Sequence, residues 1–84
     1  MTFGKTKQLV RKSAEEIAFR QFYPNTYIEV LWKAPDGKTF CASAVCTCGY
    51  RDKWSPQTGR EIAFGMATAT IARKYQAYVK RNLT

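Results

Sequence analysis

The run Tyr27-Ile28-Glu29-Val30-Leu31-Trp32-Lys33 leads straight into Pro35-Asp36-Gly37, and no other stretch limits this chain as much. Its β-branched and aromatic residues favour a strand, and the turn behind it favours a hairpin. Proline presets φ for the first turn position, and glycine accepts the left-handed position that closes a three-residue loop. Pairing Ala34 with Lys38 across that loop sets Trp32 opposite Phe40, Val30 opposite Ala42 and Ile28 opposite Ala44 on one apolar face. The other face pairs Leu31 with Cys41, Glu29 with Ser43 and Tyr27 with Val45, a set suited to partial exposure. Alanines opposite large side chains leave room for a helix across the sheet.

That helix is predicted from Ser55-Pro56, a cap followed by a first-turn proline, through the segment that ends near Arg81. Phe64, Ala67, Ile71, Tyr75 and Tyr78 form its inner stripe, about 80° wide at 100° per residue. The small residues from Ala63 to Ala69, Gly65 among them, are expected to let the helix backbone approach the sheet closely. At the other end, Ser13-Ala14-Glu15-Glu16 fits a capping box for a helix over 14–22, stopped by Pro24-Asn25. One helix over 5–22 competes with it, because Val10, Ala14, Ile17 and Gln21 also keep helical spacing. The expectation is a single α+β domain with a small antiparallel sheet of two or three strands, a long C-terminal helix and an N-terminal helix. Residues 13–84 form its folded core and 1–12 a basic segment.

Charge narrows the partner. Fourteen Lys and Arg stand against six Asp and Glu, with no His, for a net charge of +8. Lys5, Lys7, Arg11 and Lys12 at one end, and Arg73, Lys74, Lys80 and Arg81 at the other, account for all of it. Basic ends on a neutral body point to an acidic partner: nucleic acid, a nucleoprotein complex or an acidic host protein. No apolar run approaches the length of a membrane span. Three cysteines, an odd number, fit a reducing cytoplasm.

Chemistry finds little to use. A zinc site needs four convergent ligands, whereas Cys41, Cys46 and Cys48 have C-x4-C-x-C spacing and no histidine to join them. Cys41 faces away from the other two in an extended strand. No histidine can serve as general base, and no carboxylate pair is set by a motif. Asp52 and Glu61 each adjoin a base, Lys53 and Arg60, and the expectation for each is a surface ion pair. No catalytic residue, metal or cofactor is assigned.

Binding finds more. In Tyr50-Arg51-Asp52-Lys53-Trp54 aromatics alternate with bases, the types that stack on nucleobases and neutralise phosphates. The loop runs into a helix start at 56–59, where amides favour an anion. Candidate binding residues are therefore Tyr50, Arg51, Lys53, Trp54 and Arg60, joined by Arg73, Lys74, Lys80 and Arg81 on a face of the long helix about 120° wide. Lys5, Lys7, Arg11 and Lys12 join that face if the N-terminal segment folds nearby.

The stretch carrying Asp52, Trp54, Gly59, Arg60, Ile62 and Ala63 behind a hairpin resembles small proteins of phages and mobile elements. Some proteins of that size and origin inhibit bacterial defence systems, CRISPR effectors among them. The helix-hairpin-helix order is also similar to a double-stranded-RNA-binding domain. It departs from that domain in showing two clear strands instead of three, and in having only Arg60 where the last helix should begin with a lysine cluster. The implied function is a non-enzymatic binding protein that engages nucleic acid or a nucleic-acid-handling complex. A protein inhibitor filling an acidic groove of a defence enzyme, and an oligomeric sponge for a phosphorylated nucleotide, are the alternatives.

Overall fold

A computed structural model describes residues 2–49 and 53–82. The elements run α1 (Phe3–Ser13), β1 (Glu15–Phe22), β2 (Asn25–Lys33), β3 (Thr39–Thr47) and α2 (Pro56–Asn82). The strands form one antiparallel sheet in the order β1-β2-β3. This is the α+β architecture expected, with both helices on one side of the sheet and a third strand present.

The β2–β3 hairpin has the register read from its turn: Trp32 opposite Phe40, Val30 opposite Ala42 and Ile28 opposite Ala44. Ala34 N–H donates to the Lys38 carbonyl at 2.8 Å, and Gly37 takes the left-handed conformation at φ 91°. Burial along β2 alternates strictly, with Thr26, Ile28, Val30 and Trp32 turned inward. Against them α2 sets Ala63, Ala67 and Ile71, with Phe64, Tyr75 and Tyr78 packed at the margin. Each large side chain buried this way contributes about 1.5–3 kcal/mol, so this interface dominates stability.

The N-terminal quarter differs from expectation. Ser13 ends a helix instead of starting one, and Glu15–Phe22 is a strand paired with β2 through a bulge between Glu16 and Ala18. The apparent capping box fails because Ser13 Oγ donates to the Leu9 carbonyl and accepts from Trp32 Nε1, each at 2.8 Å. Pro24 stops no helix; it sits in the tight β1–β2 turn, after a cis peptide bond from Tyr23. The basic segment is no appendage either. Thr2 caps α1, and Val10 is fully buried in the core, which therefore begins well before residue 13.

Glycines on α2 divide by face. A Cβ on Gly59 would lie 2.6 Å from Thr26 Oγ1, whereas one on Gly65 would meet nothing within 4 Å. The close approach expected of the run from Ala63 to Ala69 is made by Ala63 and Ala67, both fully buried in the core, and extends back to Gly59, whereas Gly65 itself faces outward. Two opposite outcomes follow for the same substitution, measurable by urea denaturation. Gly59→Ala gains helix propensity but crowds a buried, hydrogen-bonded threonine, for a net loss of about 1–2 kcal/mol. Gly65→Ala gains the propensity alone, about 0.5–1 kcal/mol.

Candidate functional site

Basic residues concentrate on the helices. Nine of the fourteen bases and one of the six acids belong to α1 and α2, while the three strands carry Arg20 and Lys33 against Glu15, Glu16 and Glu29. One side of the domain is a cationic layer two helices wide. The opposite side is the outer face of the sheet, close to neutral.

Within that layer α1 lies beside α2, tied to it by a hydrogen bond from Gln76 Nε2 to Thr6 Oγ1 at 3.2 Å. Lys7 and Arg73 line one shallow groove, together with Ile62 and Met66. The Arg73 guanidinium also sits 5.8 Å from the Phe3 ring centre. At 100° per residue, positions 62, 66, 73 and 80 fall within about 40° on the outward side of α2. Lys74 and Arg81 lie about 100° further round, toward β3. Lys5 and Lys12 are exposed on α1. Of the N-terminal bases, Lys7 is the one that meets this strip, in the groove it shares with Arg73.

Lys74 Nζ donates to the Cys41 carbonyl at 3.0 Å, closing part of the β3 edge. It shares a cleft with Arg81, Phe40, Tyr78 and Lys38, a residue that the sequence reading missed. Lys38 Nζ stands 5.0 Å from the Tyr78 ring centre. Its signal was its place just behind the Pro-Asp-Gly turn, where the tyrosine stripe of α2 ends. Hydrogen bonding to the Asp36 carboxylate, then desolvation and the charge of Asp36, raise the Tyr78 hydroxyl above its ordinary pKa of 10.0.

Arg60 behaves differently from the other candidates. Its guanidinium makes a bidentate pair with Glu16, Nη2 to Oε2 at 2.6 Å and Nε to Oε1 at 3.0 Å, and lies 4.5 Å over the Phe19 ring. The hydrogen bond and charge of Glu16 raise its pKa further. The partner is not Glu61, as adjacency had implied; Glu61 accepts from Gln57 Nε2 at 3.5 Å. Arg11 lines the groove beside this pair, with both glutamates at hand. Arg60 therefore clamps the start of α2 to β1 and offers little charge to a ligand.

The loop before α2 is only partly described: Tyr50, Arg51 and Asp52 lie outside the described residues. Lys53 is exposed, and Trp54 is half-buried with its ring edge-on to Tyr23 at 5.3 Å. Between this loop and the end of β3 is a cleft of about 220 Å³ lined by Cys46, Cys48, Trp54, Gly59 and Ile62 among others. The helix start beside it is capped from within the chain. Pro56 has no N–H, Thr58 N–H reaches Ser55 Oγ at 3.3 Å, and Gly59 N–H reaches the Ser55 carbonyl at 3.0 Å. The amides expected to hold an anion there are largely engaged. Cys41, Cys46 and Cys48 form no disulfide, and Cys41 is exposed on the outer face.

The Gly59, Arg60 and Ala63 positions thus share a physical role. Gly59 admits Thr26, Arg60 grips Glu16, and Ala63 is fully buried under the helix. They dock the start of α2 on the sheet.

Raising the Tyr78 pKa favours its protonated form in the folded state. Its contribution to stability is whole below pH 10 and falls away as the pH rises above that. Thermal melts of the wild type and Tyr78→Phe across this range are expected to show a wild-type advantage that shrinks with alkalinity, a trend that Asp36→Asn weakens.

No protein-family model matches the chain, and neither a curated protein nor a solved structure matches it.

Proposed function

We propose that this chain is a small non-enzymatic binding protein of phage type whose two-helix layer docks on nucleic acid. The observation that carries this reading is the segregation of charge, nine bases against one acid on α1 and α2, with a near-neutral sheet behind them. A polyanion gains from every such base by releasing condensed counterions. The order α-β-β-β-α supports the same reading, since it is the layout of the double-stranded-RNA-binding domain, third strand included. The lysine cluster of that domain is still missing from the start of α2, so phosphate contacts fall to α1 and the second half of α2.

One observation favours a second reading. Ile62 and Met66 are 49% and 46% exposed on the side of α2 that carries Arg73 and Lys80. Phosphates give apolar side chains no reward, whereas an acidic protein groove with an apolar floor does, as in an inhibitor of a bacterial defence enzyme. The nucleotide-sponge reading has no comparable support. The described cleft beside the loop, about 220 Å³, is below the roughly 300–1,000 Å³ of small-molecule sites, and the helix start is self-capped.

Electrophoretic mobility shifts with DNA and RNA over a salt series test the proposal. Affinity is expected to fall steeply with salt, and Lys7→Ala with Arg73→Ala to flatten the log–log slope by about two units. Arg60→Ala is expected to leave the slope unchanged, its charge being answered by Glu16. Absence of any shift at low salt overturns the nucleic-acid reading. Loss of a nuclease-resistant host partner on Ile62→Ser with Met66→Ser, with mobility shifts intact, identifies the inhibitor.

A further inference from the structure

Strand β1 is the most exposed element of the sheet. Among the described residues it pairs with β2 alone, so its other edge is open, and only Ala18 and Gln21 are even half-buried. Helix α2 packs over β2 and β3, reaching β1 through the Arg60–Glu16 pair and the bond from Gln21 Nε2 to the Pro56 carbonyl at 2.8 Å. The strand and its turn nonetheless carry Ile17, Phe19, Phe22 and Tyr23, with exposures of 47%, 37%, 74% and 64%.

These side chains do not share a face. Phe19 is paired with Ile28 and turns toward the helices, Phe22 is paired with Asn25 and turns to the outer face, and Ile17 occupies the bulge. A body laid on one face of the sheet would cover some of them and leave the others wet. A neighbouring strand covers both faces at once, because its own side chains alternate. The open edge supplies the backbone groups for it.

The charges on β1 select the partner. Glu15 and Glu16 stand near its start and Arg20 near its end. Glu16 is turned inward and held by Arg60, but Glu15 and Arg20 share the outer face. Antiparallel pairing of two copies about a two-fold axis therefore brings Glu15 of each against Arg20 of the other, whereas parallel pairing sets like charges side by side. We propose that β1 is a homodimerisation edge, joining two copies of this chain into a continuous six-stranded antiparallel sheet. The two-fold axis of such a pair is perpendicular to the sheet, so both helix layers face the same way and the cationic surface doubles in width. This proposal stands apart from the nature of the anionic partner.

Sedimentation equilibrium over a concentration series tests it. The wild type is expected to approach twice its 9.6 kDa mass. Arg20→Glu replaces two attractive cross-strand pairs with two repulsive ones and is expected to raise the dimer dissociation constant by about tenfold. Adding Glu15→Arg restores the pairing with charges exchanged, and the constant is expected to return toward the wild-type value. Val45→Lys, on the opposite edge strand, is expected to leave it unchanged. Should Arg20→Glu fail to fold by circular dichroism, Ile17→Lys in the exposed bulge is the variant expected to dissociate. A wild type that stays monomeric, a dimer indifferent to the substitutions in β1, or a charge exchange that restores nothing overturns the proposal.

Discussion

The indole of Trp32 is where the sheet and both helices meet. Only 1% of the residue remains exposed, on the middle strand. Its ring stands edge-on to Tyr75 of α2 at 5.1 Å and tilts toward Phe40 of β3 at 6.1 Å, while Nε1 donates to Ser13 at the end of α1. A buried indole N–H without an acceptor costs about as much as several good packing contacts return, so the place where α1 ends is tied to the orientation of one side chain. That tie sets the angle at which α1 lies beside α2, and with it the juxtaposition of Lys7 and Arg73. The cationic layer rests on an uncharged hydrogen bond at the opposite side of the core.

What the sequence made legible was local. The hairpin announced itself because turn chemistry, strand propensity and face alternation agree within twenty residues, from Tyr27 to Cys46. The start of α2 was equally plain, its serine cap and proline being contiguous. Glu15–Phe22 carried no such agreement. Its apolar residues fit a helical stripe as well as a strand, and eight residues are too few to separate the two periods. The element is a strand because β2 has an edge to pair, a fact of assembly that the segment itself does not encode. Exposure on both faces removed the alternation that would have revealed it.

The candidate site follows the same division. Which residues are basic, and that they gather at the two ends of the chain, needs no structure. Which of them keep their charge available depends on acids far away in sequence: Glu16 reaches Arg60 across 44 residues, and adjacency named the wrong partner in Glu61. Lys38 entered the site for a related reason, since a hairpin tip meets the end of a helix only once the helix has crossed the sheet at a particular angle. The loop with the most suggestive composition, by contrast, adjoins a helix start whose donors are already taken by Ser55.

The sparse cover over β1 sets the order in which the domain comes apart. The hairpin and α2 share the buried alanine, isoleucine and tryptophan contacts, so they open only when the whole core does. Among the described residues, strand β1 is held by its ladder to β2, by the Arg60 guanidinium on Glu16 and Phe19, and by the Gln21 side chain, all close to water. Local fluctuations are therefore expected to release it before the hairpin and α2 part. Amide protection is expected to be greatest in β2, the middle strand, and least in β1, whose side chains are the least covered.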